Sequence, residues 1–461
     1  MRPVLLSQLA QWCEGRLIGP DVMIERIGTD SRDPLQNGLF VALKGERFDA
    51  HDFVDQAKAS GAAALLLHRV VDTDLPHILC PDTEEALGEI AAGLAKDRQT
   101  VVLALTGSNG KTSVKTMLYC ILNAAGKAYA NPGNRNNEIG LPLAVIDAPE
   151  DAGFAVYEMG AGKLGDIAYL TSIVTPNVSL VNNIAPAHIE RMGSLLGIAE
   201  TKGAIYEALP DDGIAVVNVD DAFAPYFLER IGNRGILRFG IENNADVSAR
   251  QITLSAESAR FELVCPAGRA EIGLAFSGRH NVMNALAAAA MAMAAGASFD
   301  AVVCGLQAAR PVSGRQAVIH LANGAVVIDD SYNANPGSLA AAIDALATAC
   351  ALDKKQSVLV LGDMAELGES ASALHAQIGS AAKSQGITNL FTCGSLSAAA
   401  SAAFGPQAMH YSTRDELSAA LKQSLSANQR ILIKGSRSSR MDEIVKALML
   451  EFGIKETTDA A

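Results

Sequence analysis

The sequence predicts an α/β protein in three units: a small α/β N-terminal domain, a central P-loop-type ATPase domain on a mainly parallel sheet, and a C-terminal Rossmann-like α/β domain. Three observations predict it. Short apolar, β-branched runs alternate with helix-length runs along most of the chain, the pattern of strands joined by crossover helices. One run, Val101 to Leu105, leads directly into Thr106-Gly107-Ser108-Asn109-Gly110-Lys111-Thr112-Ser113, a glycine-rich turn that opens a helix. The chain has 461 residues, too many for one average core.

Residues 1–82 mix short elements. Leu5 to Gly15 has helical periodicity, Leu39 to Leu43 reads as a strand, Asp52 to Ser60 as a helix and Ala63 to Leu67 as a second strand. Thr29, Ser31 and Arg32 precede the first strand and Lys44 follows it. On loops at strand ends such residues bind a ribose or diphosphate, or simply make turns. A helix near Glu84 to Asp97 leads into the next unit, assigned 83–312. There the strands Phe154 to Tyr157, Asn177 to Val181 and Ile214 to Val219 join that of Val101. Ligands in open α/β sheets sit beyond the carboxyl ends of strands. Lys111, Glu158 and His188 all fall at or just past such ends, so the topology gathers them on one face. In the last unit, 313–461, four strands are expected, near Ala325, Val358, Leu390 and Ile431. They end in Asp329-Asp330, Gly362-Asp363, Cys393-Gly394 and Lys434-Gly435-Ser436-Arg437.

Composition narrows the class. Apolar residues make up 49% and aromatics only 5%, which suits Ala-faced helices on buried sheets. A net charge of −13 argues against a nucleic-acid surface. Seven cysteines without a C-x-x-C pair read as reduced thiols of a cytoplasmic protein. No secretory signal is apparent, and the longest apolar run, Ala285 to Ala297, is too short to span a membrane and reads as a core helix.

The glycine turn carries the chemistry. Successive backbone N–H groups and a helix N-terminus aimed at one point hold a phosphate chain; Lys111 adds a mobile cation near the terminal phosphates, and the Thr112 hydroxyl can bind Mg²⁺. The usual pattern wants a glycine where Leu105 stands, so the loop is a shortened version, read as an ATP site. Glu158 is either a helix cap or a ligand for a hard cation. His188 is either a surface-loop histidine or a site residue. The run Asn131 to Pro142, with Asn134, Asn136 and Asn137, is a turn-rich loop or a set of neutral donors and acceptors for phosphate and peptide. Asn281 and Asn284 share one side of a first helical turn, reading a purine edge or capping the helix. Arg315 stands at the second junction, and Asp330-Ser331-Tyr332-Asn333-Ala334-Asn335-Pro336 makes another ligand-facing turn.

In this order the motifs resemble the Mur ligases of peptidoglycan synthesis. The runs Asn136 to Pro142 and Asp330 to Pro336 are similar to those of the branch that adds D-alanyl-D-alanine, and the Asp-Asn-Pro-Arg signature of the diamino-acid-adding branch is absent. The resemblance implies ATP and Mg²⁺ as cofactors, and UDP-N-acetylmuramoyl-tripeptide and D-alanyl-D-alanine as substrates, joined through an acyl phosphate by a monomeric enzyme. It implies that Gly107 to Ser113 cradle phosphates, that Thr112 and Glu158 hold one Mg²⁺ and His188 a second, and that Asn281, Asn284, Arg315 and Asp330 hold the nucleotide. Thr29, Ser31, Arg32, Lys44, Asn134, Asn136, Asn137, Tyr332, Asn333, Asn335, Asp363, Lys434, Ser436 and Arg437 would contact substrates. Lys202 matches a lysine that the family carries N-carboxylated, a metal ligand and catalytic group beside Lys111, Glu158 and His188; the other reading is an unmodified surface lysine. A kinase or nucleotide switch using the same loop is the competing class.

Overall fold

The computed structural model describes residues 1–186 and 189–455. Three sheets divide the chain, besides a small pairing of Val4–Leu5 with Met23–Ile24. The first is five-stranded, with Arg26–Gly28, Gly38–Val41, Ala62–Leu67 and His77–Leu79 side by side and parallel, and Arg16–Ile18 antiparallel at the edge. The buried run Ala62–Leu67 explains its central place, since a parallel strand is covered on both faces.

The central sheet has nine strands. Val101–Thr106 lies between Phe154–Glu158 and Val178–Val181, with Ala128–Ala130 at the edge beyond Phe154–Glu158, all parallel. Beyond them Ile214–Asn218, Gly235–Gly240 and Val247–Leu254 continue in parallel, and Ala259–Cys265 and Gly268–Leu274 fold back antiparallel. Helices Lys111–Ala125, Arg279–Ala294 and Phe299–Ala308 cover one face. Ala285 to Ala292 are fully buried, so the Ala-rich run is a core helix, and small side chains let it lie close against the sheet. Gly140–Asp147, Asp166–Ile173 and Leu195–Glu207 cover the other face. Their core runs without a break through helix Thr83–Ala95 into the N-terminal unit, and no described helix is long and apolar enough to cross a membrane.

The third sheet has six strands rather than the expected four. Val326–Asp330, Gln429–Lys434, Gln356–Gly362, Asn389–Cys393 and Ala408–Tyr411 run parallel, and Ala317–His320 is an antiparallel edge. The two additional strands are edges, half exposed, and lack the continuous apolar run that marks a buried strand. The antiparallel part of the central sheet escaped for a related reason. Its strands alternate, as in Ala259, Phe261, Leu263 and Cys265 turned inward between charged or half-exposed residues.

Candidate active site

The carboxyl ends of the neighbouring strands Val101–Thr106, Phe154–Glu158 and Val178–Val181 converge on one cavity of about 900 Å³. Val101–Thr106 delivers the glycine turn, in which Gly110 holds φ +78° and caps helix Lys111–Ala125. A β-carbon on Gly110 would lie 2.4 Å from Asn284 Oδ1 and 2.7 Å from Asn182 Nδ2, so both conformation and space require glycine. Asn109 N donates to Asn183 Oδ1 at 2.9 Å, and the Ser108 hydroxyl donates to Ala185 O at 2.9 Å, so the following strand end braces the turn.

Phe154–Glu158 delivers Glu158, buried to 2% exposure. The Thr112 hydroxyl donates to Glu158 Oε2 at 3.0 Å, and Asn136 Nδ2 donates to Oε1 at 2.8 Å. Lys115 Nζ lies 3.3 Å from Oε2 and donates to the carbonyls of Asn131 and Gly133 at 2.9 and 3.0 Å. Burial works against the charge of Glu158. Lys115, Lys111, Arg315 and the Asn136 amide outweigh it and hold the carboxyl below its ordinary range. Lys111 Nζ donates to Gly107 O at 2.8 Å; burial lowers the affinity of this amine for its proton, against the pull of Glu158.

Lys202 is buried on helix Leu195–Glu207. Burial pushes its ammonium well below the ordinary lysine value; Lys111 adds to the shift and Asp166 opposes it. Among the described residues its Nζ has no hydrogen bond or ion pair. Its burial excludes a surface lysine.

The third unit closes the other wall. Arg315 stacks over the Tyr332 ring at 4.0 Å, with Arg437 at 5.6 Å from the same ring. Lys434 Nζ bridges Asp330 Oδ2 at 2.6 Å and Asn333 O at 3.0 Å. Asn335 Nδ2 donates to Asn109 Oδ1 at 2.8 Å, across the two units. Asn281 and Asn284 share a face, Asn284 Nδ2 donating to Asn281 Oδ1 at 3.1 Å.

Of the residues named from the sequence, Ser108, Asn109, Gly110, Lys111, Ser113, Asn136, Asn137 and Glu158 line this cavity from the central unit, with Asn281 and Asn284. Arg315, Asp330, Tyr332, Asn333, Asn335 and Lys434 line it from the third. Asn134 sits behind, its carbonyl accepting from Asn136 N at 2.8 Å. Asp363 faces a separate cavity, where it accepts from the backbone of Leu396 and Ser397 at 3.1 and 2.7 Å, and Ser436 donates to its carbonyl at 2.7 Å. Thr29, Ser31, Arg32 and Lys44 stay on the first unit. Ser31 donates to Gln56 at 3.1 Å and Arg32 pairs with Asp30 at 2.6 Å. His188 lies outside the described residues. Sequence reasoning missed Lys115, although it stands one turn after Lys111 on the same helix face.

Comparison with known proteins agrees along the whole chain. The Mur ligase middle domain matches residues 105–292, the Mur ligase glutamate ligase domain 314–437 and the Mur ligase family catalytic domain 23–94. UDP-N-acetylmuramoyl-tripeptide--D-alanyl-D-alanine ligase of Escherichia coli (strain K12) is 44% identical over 451 residues, covering 97% of this chain and 99% of its own. A crystal structure of MurF from Acinetobacter baumannii superposes with TM-score 0.91 at 35% identity, covering 98% and 99% of the two chains. MurF ligase from Thermotoga maritima, solved in complex with ADP, gives 0.82 at 26% identity, covering 93% and 97%. A glycine turn walled in by two α/β units, in a chain matched by all three domain models and by a relative 44% identical along nearly its whole length, establishes that this chain belongs to the Mur ligase family.

Proposed function

We propose that this protein is an ATP-dependent amide ligase of the cytoplasm. It joins the amine of D-alanyl-D-alanine to the terminal carboxylate of UDP-N-acetylmuramoyl-tripeptide, releasing ADP and phosphate. One observation carries the reading: the glycine turn with Lys111, and Glu158 held by the Thr112 hydroxyl, face Arg315, Asp330 and Lys434 of the third unit across a single cavity. The names of the relatives support the choice of substrates.

The chemistry follows from the charges. A carboxylate is a poor acyl donor, so one of its oxygens must become part of a leaving group. Transfer of the terminal phosphoryl of ATP achieves this, and the dipeptide amine then displaces phosphate from the acyl carbon. Both steps build negative charge on phosphate oxygens or on the tetrahedral centre, which fixed donors and cations stabilise. Loop N–H groups and Lys111 serve the phosphates; Asn281, Asn284, Arg315 and Asp330 serve the nucleoside. Hard oxygen donors of Thr112 and Glu158 fit Mg²⁺. That ion, when bound, neutralises phosphate charge. His188 and Lys202 would serve a second ion. Lys202 fits N-carboxylation, because a buried amine pushed toward its neutral form is nucleophilic enough to take up CO₂ and gains oxygen ligands by doing so.

The first unit, 1–82, would hold the uridine diphosphate end through Thr29, Ser31, Arg32 and Lys44. The second, 83–312, would hold ATP. The third, 313–461, would close over both, with Tyr332, Asn333, Lys434 and Arg437 toward the peptide and Asp363 and Ser436 shaping the strand ends behind them. A monomer completes this site alone.

The test is phosphate release with ATP, Mg²⁺, the tripeptide nucleotide and D-alanyl-D-alanine, each omitted in turn. Release is expected only with all four, and neither lysine nor diaminopimelate replaces the dipeptide. Release independent of the dipeptide, or a phosphorylated hydroxyl product, would overturn the reading.

A further inference from the structure

Six residues with carboxamide side chains form a continuous chain of hydrogen bonds along the cavity wall, and both ends of the chain lie in the third unit. Asn281 Nδ2 donates to Gln316 Oε1 at 3.0 Å, Asn284 Nδ2 to Asn281 Oδ1 at 3.1 Å, and Asn182 Nδ2 to Asn284 Oδ1 at 3.0 Å. The same Asn182 amide donates to Asn109 O at 2.9 Å, and Asn335 Nδ2 donates to Asn109 Oδ1 at 2.8 Å.

The last link joins two side chains that are each locked beforehand. Asn109 has its N–H bonded to Asn183 and its carbonyl to both Asn182 and Asn183, so its side chain leaves the turn in one direction. Asn335 caps helix Pro336–Asp353, its Oδ1 accepting from Ser338 N at 2.8 Å in a reciprocal capping box. One amide therefore does two things, capping with its oxygen and gripping the turn with its nitrogen. The approach is close: a β-carbon on Gly337 would sit 3.3 Å from Asn109 Nδ2 and 3.5 Å from the Ala185 methyl.

We infer that Asn335 is a positioning residue for the reaction, fastening the third unit to the tip of the phosphate turn through Asn109. The inference rests on the nucleotide role proposed above for that turn. A neutral amide suits the task. A carboxylate there would repel the phosphates and a lysine would bind them directly, whereas an amide ties two units together beside a phosphate chain without adding charge.

Asn335→Ser separates the two roles, because serine still caps a helix but is too short to reach Asn109. The variant should melt with the wild type and keep the KM for ATP within about twofold. Its kcat should fall about three- to tenfold, the loss of one neutral hydrogen bond. Asn109→Ala, which leaves the cap intact, should show the same loss and serves if Asn335→Ser fails to fold. The double variant should lose no more than either single one. Unchanged kcat in the soluble single variants, or losses that add in full, would overturn the inference. Calorimetric binding of ADP separates the two readings. No ADP binding to the wild type overturns the nucleotide reading and this inference with it. Wild-type ADP binding together with wild-type turnover in Asn335→Ser overturns this inference alone.

Discussion

Lys115→Met should be among the most damaging single changes outside the phosphate turn, and the structure sets its size. Lys115 and Glu158 are 8% and 2% exposed, and their charges lie 3.3 Å apart. Removing one partner leaves a buried carboxylate whose remaining support is Thr112, Asn136 and the more distant Lys111 and Arg315. Breaking such a pair costs about 3–5 kcal/mol. In a unit of this size each kcal/mol lowers Tm by about 2–4 °C, so thermal melting should show a fall of about 6–20 °C. Lys115 also ties down the carbonyls of Asn131 and Gly133, which a methionine cannot do, so the upper half of that range is expected. The double variant Lys115→Met/Glu158→Gln is the control. Glutamine keeps the shape without the charge, its oxygen accepting from Asn136 and its amide nitrogen donating in turn to the Thr112 hydroxyl, so it should recover about half of the loss. A fall of less than about 1 kcal/mol in Lys115→Met, the range of an exposed pair, would refute the reasoning, as would a double variant no more stable than the single.

Three further outcomes follow. Gly110→Ala should lose at least about 2 kcal/mol from its left-handed backbone and the clash with Asn284 and Asn182, and nearly all turnover, read by melting and phosphate release. In the first unit, burial alone pushes the Asp49 carboxyl up, but the His51 amide and ring and the Arg69 guanidinium outweigh it and hold it at about 2, against an ordinary 3.8. Its own contribution is therefore complete above about pH 4 and lost as pH falls toward 2, so the Tm difference between wild type and Asp49→Asn should be flat above about pH 6.5 and shrink below about pH 4. Burial depresses the His51 imidazole below 6.5 and Asp49 partly offsets it, so both proteins lose stability as pH falls through that value and Asp49→Asn loses more. Lys202→Ala should cripple turnover, and a short free carboxylic acid added at high concentration should restore part of it; unchanged turnover would remove the carboxylation proposal.

What could be read in advance was what lies contiguously in the chain. The strand, glycine turn and helix are legible because apolar run, glycines, lysine and threonine follow one another within a dozen residues, and each has a separate physical reason to be there. Glu158 and Lys111 meet because strand ends gather on one side of a parallel sheet, a rule that needs only the order of elements. Lys115 could not be singled out, since nothing local tells that its face of the helix meets Asn131, Gly133 and Glu158. The bonds of Asn109 to Asn182 and Asn335 span 73 and 226 residues, so only the folded chain brings them together. Edge strands such as Ala317–His320 were illegible for the opposite reason: half exposed, they carry too little apolar pattern to stand out.

The central claim is that the tripeptide carboxylate is phosphorylated before the amide forms, and isotope transfer tests it most directly. The tripeptide nucleotide would be labelled with ¹⁸O in its terminal carboxylate and turned over with ATP, Mg²⁺ and D-alanyl-D-alanine, and the released phosphate analysed by mass spectrometry. The account predicts one labelled oxygen in each phosphate, carried across from the carboxylate. Phosphate that leaves without label, while the amide product accumulates, would contradict it.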